Sequence, residues 1–277
     1  MIAIVMLNFN DWENAVESIR LLSHQQHMRV YFVDCSTKVN NDIKQEIATT
    51  VHWYCTTENR GYSAGNNVGI MRAIGDGCQA ILIANTDVTI SPSAVTTLLA
   101  EATAVDAAMI GPRVVTGTGE DQETILGTRV NKFHKVALTL RRTPLRPLFQ
   151  RFYDRFSVAT PEPLTPVYGV SGCCFLVRES AFSHAFPLDE VPFLYNEEYM
   201  LAESMRTAGH KVYLTRAVVV VHKGGSSTSA LGVKAFEHFI SSEKYLLKTY
   251  LNAGPLIMSY FALLRGCQLL AKNHSSR

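Results

Sequence analysis

The chain has 277 residues, of which 47% are hydrophobic and 18% charged. That balance excludes a disordered or low-complexity protein and provides enough apolar side chains to bury a core. The formal net charge of +2 selects no partner, and the length leaves one large domain or two small ones open.

The first half alternates strand-like and helix-like runs. "IAIVML" (2–7) is a short apolar run ending in Asn8-Phe9-Asn10. "DWENAVESIRLLSHQ" (11–25) places Trp12, Ala15, Val16, Ile19 and Leu22 at helical spacing, with Asp11 as its expected cap. "VYFVD" (30–34) reads as a second buried strand, followed by a polar helix around 39–49 and a third strand, "VHWYC" (51–55). "AILIA" (80–84) is the fourth strand and runs straight into Asn85-Thr86-Asp87. "SPSAVTTLLAEAT" (91–103) opens a helix with Ser91 as cap and Pro92 in its first turn, and "AAMIGPRVV" is a further strand.

Strands alternating with helices imply a mostly parallel sheet covered on both faces. Ligands of such sheets bind beyond the carboxyl ends of the strands. Here those ends read "NFN", "VDCS", "TTENRG" and "NTDV". One polar strand end is a turn; four at one edge point to a polar ligand.

From about 116 to 165 no period is sustained, and the basic part of it, about 129–160, is expected to be a mobile excursion from the core. It is strongly basic: eight Lys or Arg lie between Arg129 and Arg155 against one acid, Asp154, a local +7. Regular structure resumes with a strand and short helix in "VYGVSGCCFLVRES" (167–180). A helix in "FLYNEEYMLAESMRTAGH" (193–210) is stopped by Gly209. "VYLTRAVVVVH" (212–222) supplies strand ending in His222, and "VKAFEHFISSEKYLLKTYL" is amphipathic helix. The most apolar late stretch, residues 254–272, is interrupted by Arg265 and Gln268 and falls short of the roughly 18–20 apolar residues of a membrane span. A division at about residue 230 is expected, with 1–230 as the main domain and 231–277 as a helical extension.

Cysteines stand at 35, 55, 78, 173, 174 and 267 with no C-x-x-C pair, so no zinc or redox motif is suggested. The opening "MIAIVMLNFND" lacks the basic start and cleavage site of a signal peptide. Free thiols in a reducing, cytoplasmic setting are the expectation.

"ENRGYSAGNNVGI" (58–70) spaces Gly61, Gly65 and Gly69 by four along one helix face. Neither phosphate-loop fingerprint fits this spacing. Close helix–sheet packing is the plainer account of the glycines. A polar pocket wall accounts for Asn59, Arg60, Asn66 and Asn67, which are unfavourable in a core unless paired. Asp34, Asp87 and His222 each follow an apolar strand, and each alone can be a solvated strand end. Together they form an oxygen-and-imidazole set that suits Mn²⁺ or Mg²⁺, and such an ion would clamp a diphosphate. Glu197 and Glu198 begin a helix, where acids favour the dipole; partial burial would instead raise a carboxylate's pKa and make it a general base. Glu203, five residues on from Glu198, is not expected to share its pocket.

"VDCS", "ENRGYSAGNNVGI", "ILIANTDV", "VSGCCFLVRES", "FLYNEEYMLAESMRTAGHKV" and "VVVHKGGSS" together resemble the family 2 inverting glycosyltransferases, in particular the rhamnosyltransferase-like branch that builds bacterial surface polysaccharides such as O-antigen. The resemblance runs from residue 2 to about 250, and it implies an α/β nucleotide-sugar fold of the GT-A type. It implies that Asp34 binds the donor's base with Asn8 nearby, that Asn59 and Arg60 lie near the nucleotide, and that Asn66 supports that pocket. Asn85-Thr86-Asp87 stands where the family has its Asp-x-Asp motif, His222 where a histidine often completes the metal site, and Glu198 where the catalytic base falls. The acceptor would lie near Ser171 and Gly172.

Three departures sharpen these expectations. Asn85 replaces the first acid of Asp-x-Asp, so Asp87 is the strong ligand there and the donor diphosphate is expected to complete the shell. Glu198 replaces the commoner Asp. Met200 stands where many relatives have a second acid. The expected reaction moves a sugar from a nucleoside diphosphate donor, dTDP-rhamnose or a UDP-sugar, to a hydroxyl of a lipid-linked glycan. The basic excursion and amphipathic tail fit an anionic surface at the inner face of the membrane, and charge confined to one stretch argues against nucleic acid. Two other readings remain open: a non-catalytic glycan-binding member of the same fold, and a sugar-phosphate nucleotidyltransferase, which would need a Gly-rich basic signature after the first strand.

Overall fold

Ile2–Asn8 forms β1, and every side chain from Ile2 to Met6 is buried, as a strand covered on both faces requires. The computed structural model describes residues 1–37, 40–122, 126–142, 147, 162–224 and 232–275. After β1 come α1 (Trp12–Leu22), β2 (Met28–Asp34), α2 (Asn41–Ile47), β3 (His52–Cys55), α3 (Tyr62–Gly75), β4 (Ala80–Ala84), β5 (Val88–Thr89), α4 (Pro92–Ala104) and β6 (Met109–Thr116). The second half contains α5 (Lys132–Leu138), β7 (Leu164–Pro166), β8 (Cys174–Arg178), α6 (Phe182–Ala185), α7 (Glu197–Thr207), β9 (Val212–His222), α8 (Val233–Tyr245) and α9 (Pro255–Ser275).

One sheet runs in the order β3-β2-β1-β4-β8-β6-β9-β5, with β7 paired to β9. The ladders among β3, β2, β1 and β4 are all parallel, so their carboxyl ends share one edge. Beyond β4 the sheet is mixed: β8 lies antiparallel between β4 and β6, while β6 and β9 are parallel. The chain passes from β1 outward to β2 and β3, then returns to β4 on the other side of β1. That reversal opens a crevice beyond the ends of β1 and β4. α1 and α4 cover one face of the sheet, through Val16, Ile19, Val95 and Leu98. α3 and α7 cover the other, through Ile70, Ala73, Leu201 and Met205. A third cluster joins Val130, Val136, Tyr199, Leu246 and Phe261, packing α5, α8 and α9 against α7. No helix among the described residues is long and apolar enough to cross a membrane, and all six cysteines are free.

Ser91 caps α4 as expected, accepting from the Ala94 amide with Pro92 in the first turn. α7 ends before Gly209, whose φ of +74° suits glycine alone at no steric cost. The expectation of aperiodic chain from 116 to 165 gives way over 132–142, which is helical and starts from an Asn131 cap. The remainder of the basic stretch, 143–146 and 148–161, lies outside the described residues.

The glycine spacing of α3 is a packing device. A Cβ on Gly69 would stand 2.8 Å from Val5 Cγ1 and 3.2 Å from Val33 Cγ2, both on stiff β-branched side chains in the sheet. Overpacking costs roughly 1–3 kcal/mol, more than the ~1 kcal/mol alanine gains over glycine in a helix. Gly69→Ala is therefore expected to lower the urea midpoint. Gly75→Ala at the end of the same helix, where a Cβ meets nothing within 4 Å, should raise it. Equal shifts in the two variants would remove the packing account.

Candidate functional site

The crevice is floored by a polar chain that links three strand ends. Asn8 Nδ2 donates to Asp34 Oδ1 at 3.3 Å, and the Ser36 amide donates to the same oxygen at 3.0 Å. Asn8 Oδ1 accepts from the Asp11 amide at 3.1 Å, and Asp11 Oδ2 accepts from Thr86 Oγ1 at 2.9 Å. Asp11 is thus no side-chain cap of α1, contrary to expectation. The Thr86 hydroxyl and the Asn14 amide take its two oxygens, and it ties the end of β4 to the end of β1. Asp34 is 2% exposed and sits at the β2 terminus beside Asn8.

Next to Asp34 a cavity of about 310 Å³ opens between the ends of β2 and β3 and the start of α3, lined by Cys35, Thr56, Glu58, Arg60, Ala64 and Gly65 among others. Arg60 borders it while pairing with Glu190 at 2.9 Å. Asn59 Oδ1 accepts from the Gly61 amide at 3.0 Å, shaping the turn into α3. Gly61 itself has φ +96°, and a Cβ there would stand 2.1 Å from the Phe193 carbonyl oxygen, so only glycine fits. Asn66 is buried, but its Nδ2 donates to the Tyr62 carbonyl and it does not line this cavity. Asn67 clamps the 188–190 segment through Leu188 and Glu190.

At the other end of the crevice, β5 pairs antiparallel with β9 and sets Val88 opposite His222. This register brings Asp87 Oδ1 to 3.3 Å from His222 Nε2. The Asp87 carbonyl accepts from the Lys223 amide at 3.0 Å, fixing the turn. His222 Nδ1 lies 3.0 Å from Gln122 Oε1. An outer oxygen on one ring nitrogen, with the other nitrogen turned to a carboxylate, is the pattern of a metal-ligating histidine. The pair therefore fits a hard divalent cation. Among the described residues no three His, Cys, Asp or Glu side chains converge on one ion, so two protein ligands are what the site offers. Asn85 contributes its backbone: its amide donates to the Cys173 carbonyl at 2.9 Å.

The segment 171–173 runs directly beside Asn85, at the end of β4. Glu198 Oε2 stands 3.9 Å from where a Gly172 Cβ would lie, and Tyr62 donates its hydroxyl to the Gly172 carbonyl. Burial pushes the Cys173 thiol up to about 12, and the nearby Asp87 and Glu198 carboxylates add to that rise. Both acids thus act on the same three-residue segment. Burial raises Glu198 above the usual carboxylate range, against the pull of its own backbone amide and of Lys135. Burial and the Glu198 charge push Glu197 up to about 8. Glu203 faces elsewhere: burial raises it, but hydrogen bonds from Arg206, Arg129 and Tyr168 outweigh that and hold it low.

Sequence reasoning missed Lys135. It is 4% exposed, donates to Asn196 Oδ1 at 2.7 Å and sits 3.8 Å from the Tyr199 ring centroid. Burial pulls its pKa down, while Glu243 and Glu198 support the charge. Asn196 and Tyr195, immediately before α7, have φ of +65° and +75°, a strained turn held by Lys135 from α5 and by Ser242 from α8. The available signal was Asn131, a cap placed before a short helical run. Arg129 and Lys132 also bind within the protein, to Glu203 and to the Asn252 carbonyl. The structure brings Asn8 together with Asp34, and Asp87 with His222.

A profile for glycosyl transferase family 2 matches residues 3–186. The chain is 23% identical over 224 residues to the low-salt glycan biosynthesis hexosyltransferase Agl10 of Haloferax volcanii, a match spanning 80% of this chain and 66% of that protein. Among solved structures it superposes on GalNAc-T7 with UDP, GalNAc and Mn²⁺ at a TM-score of 0.59 and 13% identity, covering 91% of this chain and 50% of the other. The Staphylococcus aureus TarS 1–349 complex with UDP-GlcNAc gives 0.55 and 12%, covering 99% and 72%. At these identities the structures share the fold, which is GT-A.

Proposed function

Because the chain belongs to glycosyl transferase family 2, we propose that it is an inverting transferase that moves a sugar from a nucleoside diphosphate to an acceptor hydroxyl, with Glu198 as base. One observation carries the reading: the metal pair and the base meet at one segment, since the Asn85 amide, two residues before Asp87, donates to the Cys173 carbonyl at 2.9 Å, and Glu198 Oε2 lies 3.9 Å from where a Gly172 Cβ would stand. Asn8 and Asp34, with Arg60 at the 310 Å³ cavity and Asn59 shaping the turn beside it, would receive the nucleoside. The diphosphate would then reach toward Asp87, His222 and Asn85. The acceptor oxygen attacks the anomeric carbon from the face opposite the diphosphate. The new C–O bond forms as the bond to the diphosphate breaks, and the hydroxyl proton passes to Glu198. No covalent enzyme intermediate is needed.

A divalent ion on Asp87 and His222 would supply positive charge to the departing diphosphate. The Mn²⁺ and UDP bound to GalNAc-T7 and the UDP-GlcNAc bound to TarS support a metal-assisted UDP-sugar donor; dTDP-rhamnose is the other candidate, from the rhamnosyltransferase-like pattern. For a lipid-linked acceptor at the membrane, α9 is the main support. Leu256 is 88% exposed, Leu263 and Leu270 are exposed on the same helix, and its charged Arg265 is turned inward. The electrostatic contribution is reduced, since Arg129, Lys132 and Lys135 bind within the protein.

Incubating the protein with Mn²⁺, a panel of radiolabelled UDP- and dTDP-sugars and a lipid-linked glycan extract should label the extract with one donor. No labelling and no donor hydrolysis across the panel would leave a non-catalytic glycan-binding protein as the reading.

A further inference from the structure

α9 is apolar on two faces. The inner one is packed: Phe261 is buried with Ile257 and Met258 beside it, Arg265 Nε donates to Glu243 Oε2 at 2.8 Å, and Gln268 Nε2 donates to the Thr139 carbonyl at 3.0 Å. The outer one carries Leu256, Tyr260, Leu263, Cys267 and Leu270, all exposed. A helix that is apolar all round is normally buried, so this outer face lacks its cover.

The form of the face says what fits it. Its five positions follow one another at intervals of 4, 3, 4 and 3 residues, the a/d pattern of a helix seam. Ser259, Ala262 and Gly266 stand alongside and are exposed too. Large side chains thus form a narrow ridge beside a groove of small ones, and packing ridges into grooves is how helices meet. A bilayer is the competing occupant, and the two exclude each other because both need the same side chains. Helices that lie in a membrane interface set a strongly charged face, rich in Lys and Arg, against the apolar one. From Pro255 to Leu270 the single charged residue is Arg265, and it is buried. Ridge shape and missing charge both favour a helix over lipid.

That helix can be a second α9. A two-fold interface needs one patch complementary to itself, and the series Leu, Tyr, Leu, Cys, Leu is centred on Leu263. Turned end to end, it sets Leu256 against Leu270, Tyr260 against Cys267 and Leu263 against its own copy. No charge is opposed or stranded in that register. We propose that the outer face of α9 is an antiparallel homodimer seam joining two copies of this chain. The strip from Leu256 to Leu270 is about 21 Å long at 1.5 Å per residue, and one helix pair of that length stays below the roughly 1,200 Å² at which standard-size interfaces begin. The dimer is therefore reversible and dependent on concentration.

Sedimentation velocity of the full chain, with reductant to keep the exposed Cys55 and Cys267 as thiols, should show monomer passing to dimer as protein rises through the micromolar range. Leu263→Lys places two ammonium groups face to face at the two-fold axis and should abolish the dimer. Its thermal midpoint should hold, because Leu263 is exposed in the single chain. Mixing Leu263→Lys with Leu263→Glu should restore association, and Met71→Lys, at an exposed apolar position on α3, should leave it intact. Without reductant, Tyr260→Cys should crosslink to Cys267 of the other copy, while the parent chain should not crosslink. A chain that stays monomeric throughout overturns the seam, and flotation on phosphatidylcholine vesicles that Leu263→Lys loses would then give α9 to the membrane. A dimer that survives Leu263→Lys also overturns it, and a Cys267–Cys267 crosslink in the parent overturns the antiparallel order. None of these readouts depends on the transferase reading.

Discussion

Glu198→Gln is expected to bind donor as the parent does and to lose transfer by on the order of 10²–10⁴-fold, the usual worth of a positioned base. The amide keeps the shape of the side chain beside Gly172 but cannot take the acceptor proton. The pH profile provides a second measure. Burial raises Glu198, so at low pH it is a carboxylic acid with no capacity to accept; turnover should rise with pH as that proton leaves. Lys135 opposes the rise. Replacing it with Met removes the cation, pushes Glu198 further up and should move the rising limb of kcat to higher pH. The other charges around it are Glu197 on the same helix, with Glu243 and Arg265 beside Lys135. A merely structural Lys135 would lower protein stability without displacing the limb. Near-parental turnover in Glu198→Gln would remove it as the base.

Asp87→Ala and His222→Ala should abolish the gain in UDP affinity that Mn²⁺ provides. Each deletes one of the two protein ligands, so each should lose more than the 10–100-fold typical of outer-shell changes. Gln122→Ala, which frees His222 Nδ1, should fall within that smaller range. Titrating UDP by calorimetry with and without Mn²⁺ separates the effects: metal-free affinity should be similar in all three variants. If both ligand variants keep the Mn²⁺-dependent gain, the pair is not the metal site.

The strands that build the crevice were plain in the sequence, because β1, β2 and β4 are continuous apolar runs that stop at Asn8, Asp34 and Asn85. Periodicity could not reveal which strands lie side by side. β8 enters antiparallel between β4 and β6 after a long excursion, and the Asp87–His222 approach depends on a two-residue strand, β5, pairing across 130-odd positions of chain. Asp11 misled for a related reason: local rules make it a cap, but Thr86 offers a hydroxyl from 75 residues away. Lys135 was hidden by composition. A lysine in a basic run reads as solvated, and its burial is made tolerable by Asn196, the carboxylate of Glu243 and the ring of Tyr199, all far along the chain.

The turn at Tyr195–Asn196 has an evolutionary consequence. Lys135, Asn196, Glu243 and Arg265 form a connected set drawn from α5, the turn before α7, α8 and α9, with Arg265 Nε donating to Glu243 Oε2 at 2.8 Å. Stripping one partner from such a buried set costs roughly 3–5 kcal/mol, whereas exchanging the whole set for apolar residues is often nearly neutral. These four positions are therefore locked to one another. Drift at any of them is blocked unless the others change with it, and a lineage that altered this corner would have to do so in one concerted replacement.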